Sequence, residues 1–240
     1  MNFNNKHKII KAMKTLKKIL LVGLFANLIC ILPQELTAQE KGFHYGVRFG
    51  LGESTLNLKN VTTQTSKLLI SGGIATNYQF NRFLGANVDF LFTSKGGKIS
   101  GVTKTTNIFG SEQSYNYNDT YNLYYAELPI TGKLSVPLSE DFFVKVFAGP
   151  SFNFKLIATE TREYNDKDFN NEYGYQNQKI ETLETMEHSF IYGAGIDVTS
   201  KDNRIFFLDF RKNNSLNPIG TINNYSAKSE YFVISAGYVF

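Results

Sequence analysis

The sequence predicts an all-β fold: an eight-stranded antiparallel up-and-down transmembrane β-barrel with short periplasmic turns and long extracellular loops. Segments of about ten residues alternate apolar with small or polar side chains, which is the period of a strand and the length a tilted strand needs to cross a bilayer. The connections between these segments alternate short and long. The chain also ends inside such a segment, with Phe232, Ile234, Ala236, Tyr238 and Phe240 in one row and Ser235 and Gly237 in the other. No stretch carries a sustained 3.6-residue apolar period. A soluble sandwich alternates too, but its second row meets water and fills with Lys, Glu and Thr. Here that row is small or polar and the first row is almost uninterruptedly apolar, as a lipid-facing wall requires.

The amino terminus reads as a separate unit. Lys6, Lys8, Lys11, Lys14, Lys17 and Lys18 precede an apolar run over 19–32, and Ala38 offers a small residue for cleavage. The run is short of the roughly 20 residues of a membrane helix, so residues 1–38 are expected to be a signal peptide and 39–240 the barrel domain. Met13 offers an alternative start. The only cysteine, Cys30, follows the bulky Ile29, which argues against lipidation, and the mature chain then contains no thiol. Six of the 25 basic and one of the 21 acidic residues lie in the leader, leaving 19 against 20. The basic balance of the whole chain is therefore no sign of a nucleic-acid partner.

Taken in order, the first strand sets Phe43, Tyr45, Val47, Phe49 and Leu51 against His44, Gly46, Arg48 and Gly50. The second sets Leu68, Ile70, Ile74, Tyr78 and Phe80 against Ser71, Gly73, Ala75, Asn77 and Gln79. After a tight turn at Asn81-Arg82, Leu84, Ala86, Val88, Phe90 and Phe92 oppose Gly85, Asn87, Asp89, Thr93 and Lys95. The fourth, over 121–136, sets Tyr124, Ala126, Leu128 and Ile130 against Tyr125, Glu127, Thr131 and Lys133. The fifth sets Val144, Val146, Ala148, Phe152 and Phe154 against Lys145, Gly149, Ser151 and Asn153. The sixth sets Phe190, Tyr192, Ala194, Ile196 and Val198 against Ser189, Gly193, Gly195 and Asp197. In the seventh, Phe206, Leu208 and Phe210 oppose Phe207, Asp209 and Arg211. The terminal strand makes eight, an even count that brings both ends of the barrel to one side. Connections at 81–82, 137–141 and 199–203 are short, whereas 52–67, 96–120, 157–187 and 212–229 read as long loops.

The inward rows carry nine charges: Arg48, Asp89, Lys95, Glu127, Lys133, Lys145, Asp197, Asp209 and Arg211. An eight-stranded barrel has an interior that side chains just fill, and charges confined there are costly unless paired. A cross-strand network is therefore expected, centred on Arg48, Asp89, Glu127 and Arg211, in a lumen without a continuous water path.

Other candidate sites read as structural. His188 and Ser189, next to Glu187, suggest a hydrolase pair, but adjacent strand residues point to opposite faces. In the third long loop, Asp166, Asp168 and Asn170 stand at calcium-loop spacing; the glycine position is Asn171 and the bidentate position is Asn177, so that loop reads as a solvated acidic segment. No cofactor, metal or catalytic residue is expected.

Four short motifs carry a resemblance. Phe92-Thr93-Ser94-Lys95-Gly96-Gly97-Lys98 is similar to Y-S-x-K-G-x-K, and Ala126-Glu127-Leu128-Pro129-Ile130 to L-E-I-P-L. Phe147-Ala148-Gly149-Pro150 is similar to x-A-G-P, and Asp209-Phe210-Arg211 to D-x-R-Y, with Lys212 in the aromatic position. In this order they resemble the PorT-like outer-membrane β-barrel family of Bacteroidota, often labelled porin-family proteins, over nearly all of the mature chain. The terminal strand, with Phe232, Tyr238 and the final Phe240, resembles the signal by which outer-membrane barrels are recognised for insertion. The resemblance implies an integral outer-membrane barrel and, for most members, no specific activity. The expected role is structural or interactive, through the long loops. The expected partners are outer-membrane lipid and lipopolysaccharide, the barrel-assembly machinery, and an envelope or secretion-system protein. A narrow pore or secretion accessory is the alternative, and a lipid-modifying enzyme the third.

Overall fold

The computed structural model describes residues 42–59, 63–106, 110–200, 204–223 and 225–240. The expected leader over 1–38, with Met13 and Cys30, lies outside the described residues.

In chain order the elements are β1 (Gly42–Leu58), β2 (Gln64–Thr65), β3 (Lys67–Gln79), β4 (Leu84–Val88), β5 (Phe90–Thr106), β6 (Glu112–Pro137), β7 (Phe142–Tyr164), α1 (Lys167–Tyr173), β8 (Tyr175–Lys179), β9 (Met186–Thr199), β10 (Ile205–Ser215), β11 (Gly220–Ile222) and β12 (Tyr225–Val239). Asp89 alone separates β4 from β5, and both segments keep one register against β3 and one against β6, so they act as one strand. Eight strands then close a ring in the order β1, β3, β4–β5, β6, β7, β9, β10, β12 and back to β1, every neighbour antiparallel.

Following paired residues once round the ring, from Phe43 through Tyr78, Ala86, Gly132, Ala148, Tyr192, Lys212 and Phe232, returns to β1 at Glu53, ten residues above the start (43 to 53). With a rise of about 3.3 Å per residue and strands about 4.8 Å apart, that stagger tilts the strands by about 40° and leaves an interior that side chains just fill.

The seam closes on the carboxyl terminus. Phe240 N donates to Tyr45 O at 2.9 Å, Tyr45 N donates to Phe240 O at 3.0 Å, and the two rings meet edge to face at 4.4 Å. Tyr238 packs on Phe206 at 4.9 Å and Phe232 on Phe210 at 6.1 Å, all on the outer wall. The short connections are held locally. Asn81 Oδ1 accepts from Phe83 N and Leu84 N, both at 2.9 Å, and Leu138 N donates to Phe142 O at 2.8 Å.

The strands run further than their apolar rows indicated. On β1 the outward side chains Phe43, Tyr45, Val47, Phe49 and Leu51 are exposed, and the same face continues as Glu53, Thr55 and Asn57, while Leu56 and Leu58 turn buried to the inside. β5 and β6 repeat the exchange: above the apolar belt Lys98, Ser100 and Asn118 face out, and Ile99, Tyr121 and Leu123 face in. The polarity of the two faces inverts where the wall leaves the apolar layer. Much of 52–67, 96–120, 157–187 and 212–229, expected as loop, is therefore strand that projects beyond it, tallest in β5, β6 and β7.

A β-bulge adds a second reason. Tyr124 pairs with Ile157 but Tyr125 pairs with Lys155, so Leu156 is an extra residue and the inward parity of β7 switches from odd to even above it. Further along, Asp166 caps α1 by accepting from Phe169 N at 2.8 Å, and Asn170 Oδ1 accepts from Tyr164 N at 2.9 Å. The oxygens at calcium-loop spacing thus serve a helix start and a turn.

Candidate functional site

The lumen is filled at successive heights. Nearest the short turns, Lys133 Nζ lies 3.3 Å from Asp197 Oδ2, and Lys145 Nζ lies 2.5 Å from Asp197 Oδ1 and 2.8 Å from Asp209 Oδ1. Asp209 Oδ2 is 2.5 Å from Arg48 Nη1, and Asp89 Oδ2 is 3.1 Å from Arg48 Nε and 2.9 Å from Arg211 Nη2. Four cations and three carboxylates thus form one chain across β1, the joint β4–β5 strand, β6, β7, β9 and β10. Aromatic faces complete it: Arg48 and Lys145 sit over Phe207 at 4.1 and 4.7 Å, and Arg211 over Phe147 at 5.3 Å.

Higher up the composition reverses, with one cation between two carboxylates. Lys95 Nζ donates to Glu187 Oε2 at 2.7 Å and stands 3.4 Å from Glu127 Oε1 and 4.2 Å from the Tyr125 ring. Tyr231 OH donates to Glu127 at 2.7 Å, and Ser229 Oγ to Glu187 at 2.6 Å; Ser215 Oγ also donates to Glu187.

All nine expected lumen charges are buried. Arg48, Asp89 and Arg211 meet as expected from their rows. Glu127 does not join them: it pairs opposite Leu91, two residues above Asp89 on the tilted strand, and turns to Lys95. The tenth charge, Glu187, lies at the end of 157–187, expected as loop. It is 3 % exposed and lies on the inward row of β9 with Ser189 and Asp197, so extending that odd-numbered row one step past Ser189 finds it. With it the lumen below the plug holds five basic and five acidic groups among the described residues.

Above the ion pairs sits an apolar plug. Leu56, Leu58, Ile99, Tyr121, Leu123 and Ala158 from the walls enclose Leu183, Ile219 and Ile222 from two connections that cross the mouth. Those connections are joined to each other: Glu184 N donates to Ile219 O at 2.8 Å, Thr182 Oγ1 donates to Thr221 O at 2.5 Å, and Leu183 bridges Gly220.

Beyond the plug, on the tall sheet of β5, β6, β7 and β8, Arg162 makes a two-pronged bond to Asp119 at 2.6 and 2.7 Å and stacks 4.6 Å from the Tyr117 ring. This hydrogen bonding holds the Arg162 guanidinium above its ordinary value, and burial pushes the Tyr121 hydroxyl up, with Asp119 and Glu160 adding to it. Tyr115 stacks on Phe169 of α1 at 3.8 Å. The bulge hid this group from the sequence pattern, because it turns Glu160 and Arg162 to the face that plain alternation assigns to Thr161 and Glu163.

Ser189 points into the lumen and His188 out to the Phe152 ring at 5.8 Å. Among the described residues no group of three or more His, Cys, Asp and Glu could hold a metal ion.

Residues 35–220 match the family described as outer membrane protein beta-barrel domain. Among solved structures the chain is similar to Neisserial surface protein A, with TM-score 0.45 and 12 % identity over 82 % of this chain and 98 % of that one. It is similar to OprG from Pseudomonas aeruginosa, with TM-score 0.36 and 12 % identity over 85 % and 99 %, respectively. It is also similar to Ail, the attachment invasion locus protein of Yersinia pestis, with TM-score 0.36 and 12 % identity over 83 % and 99 %. No curated protein matches the sequence. In barrels of this kind short turns face the periplasm and the taller end faces outward. The chain belongs to the outer-membrane β-barrel domain family and is an integral protein of the outer membrane.

Proposed function

We propose that this protein is a sealed barrel that anchors an extracellular sheet, with a structural or interaction role rather than transport or catalysis. The observation that carries the reading is that one lumen is occupied by a charge-balanced ion-pair network and, above it, by a plug drawn partly from the mouth's own connections. The opposite facing of His188 and Ser189 supports a non-enzymatic role. Kinship with the PorT-like family is supported by where its motifs fall: four of their five charged residues, Lys95, Glu127, Asp209 and Arg211, are members of the lumen network, and Lys98 faces out. We read residues 1–38 as the leader and the strand ending at Phe240 as the segment offered to the assembly machinery.

The test has two arms. Liposomes carrying the folded protein should swell in small sugars no faster than lipid alone, and faster swelling would favour the narrow pore. Epitope tags at Asn170 or Asn223 should label on intact cells, and a tag at Ser139 only after permeabilisation; early labelling at Ser139 would contradict the orientation.

A further inference from the structure

The wall of the barrel is incomplete at one place, and the gap has the chemistry of a lipid site. β8 ends at Lys179 and β9 begins at Met186, because residues 180–185 leave the sheet to carry Leu183 under the mouth. Ile180 N still donates to Ala158 O at 2.9 Å and Lys155 N to Thr185 O at 2.8 Å. Between those two bonds no strand covers β7. The bulge lies in that gap, so Leu156 and Ile157, consecutive in sequence, both face outward and are 53 % and 56 % exposed. What results is a groove of about 440 Å³ floored by Leu156, Ile157 and Ile180, closed at its inner end by Ala158 against the plug, and rimmed by Lys155, Lys179 and Glu181.

Its height identifies its occupant. Ile157 is level with Tyr124, among the last outward aromatics of β6, and Lys179 pairs with Thr159, which is level with the outward Asn122. The apolar floor therefore lies in the outermost acyl layer and Lys179 at headgroup level, while Lys155, opposite the buried Tyr125, stands lower on the strand. Lys155 Nζ is fixed on Leu183 O, whereas Lys179 pairs with Glu181 at 3.2 Å between two exposed side chains, a pair of little worth that an anion can displace.

We propose that this groove binds a phosphorylated glycolipid of the outer leaflet, of the lipid A type, with an acyl chain against Leu156 and Ile157 and a phosphate on Lys179. The inference does not depend on the sealed-lumen reading, since a conducting barrel could carry the same groove.

The experiment is native mass spectrometry of the full-length folded protein in detergent, titrated with diphosphorylated lipid A, the same lipid without phosphates, and phosphatidylethanolamine. One diphosphorylated lipid should be retained per barrel, with the other two retained at least about tenfold less. Lys179→Glu should lower retention of the phosphorylated lipid about tenfold, and Ile157→Asn should lower it while the protein keeps its heat-modifiable mobility. Equal retention of all three lipids, or unchanged retention in both variants, would overturn the proposal. Should Ile157→Asn fail to fold, Lys179→Glu on the exposed rim decides the matter alone.

Discussion

The membrane-level lumen and the mouth above it are closed by opposite means. Below, ten buried charges neutralise one another across strands; above, Leu56, Leu123, Leu183, Ile219 and their neighbours exclude water by apolar packing. The difference follows from what lies outside the wall. Where lipid surrounds the barrel the outer row must be apolar, so the polar residues of each strand face inward and have to satisfy one another. Above the lipid the outer row can be polar, and the inner row is free to form an ordinary hydrophobic core. The ion pairs are a way to fill space without leaving a bare charge, and the plug contributes stability at roughly 25 cal/mol per Å² of apolar surface buried.

The largest effect that would break this comparison is expected at Asp209, which touches Arg48 and Lys145 and lies 3.7 Å from Arg211. Asp209→Ala leaves those cations short of a counter-charge and should destabilise the folded barrel by about 3–5 kcal/mol, read as a lower urea midpoint in detergent. An unchanged midpoint would mean that water already reaches the network. Removal of Leu183 or Ile219 to Ala should cost about 2–4 kcal/mol locally, because the connections can relax outward. The measurement is hydrogen exchange, which should rise over 180–185 and 216–222 while 46–52 and 205–211 stay protected. Uniform acceleration would show that plug and network are a single cooperative unit.

Deleting Phe240 removes both seam hydrogen bonds to Tyr45 and an aromatic contact worth about 0.5–1.5 kcal/mol, and should lower the heat-modifiable fraction on a cold gel. Normal insertion would remove the terminal strand from any signalling role. The smallest effect belongs to Lys212 and Glu230, paired at 3.0 Å on the outer face. Lys212→Ala should shift the midpoint by less than about 1 kcal/mol, as partly exposed pairs do.

The same inversion explains how much of the molecule was legible. Eight strands, their order and nine of the ten lumen charges follow from outward apolar rows, because lipid imposes that pattern. At Glu53, Lys98 and Asn118 the pattern reverses, and a reading that ends a strand where its apolar row ends places loops there instead. Glu187 was missed for that reason, one step past a strand end set at Ser189. Asp119 was missed because it falls in 96–120, expected as loop, and Arg162 for another reason: a single extra residue, Leu156, shifts the parity of β7, and nothing in the local sequence marks it. Leu183 and Ile219 lie in irregular segments, where their burial depends on a mouth built by distant strands.

Single-channel recording in planar bilayers tests the sealed lumen most directly. The wild-type protein should give no stable conductance at either polarity, and Ile219→Ala should give none either, because the ion-pair level below the plug still blocks the path. Reproducible wild-type currents whose ion preference changes with Glu127→Ala or Arg48→Ala would contradict the account and make the lumen charges the lining of a pore.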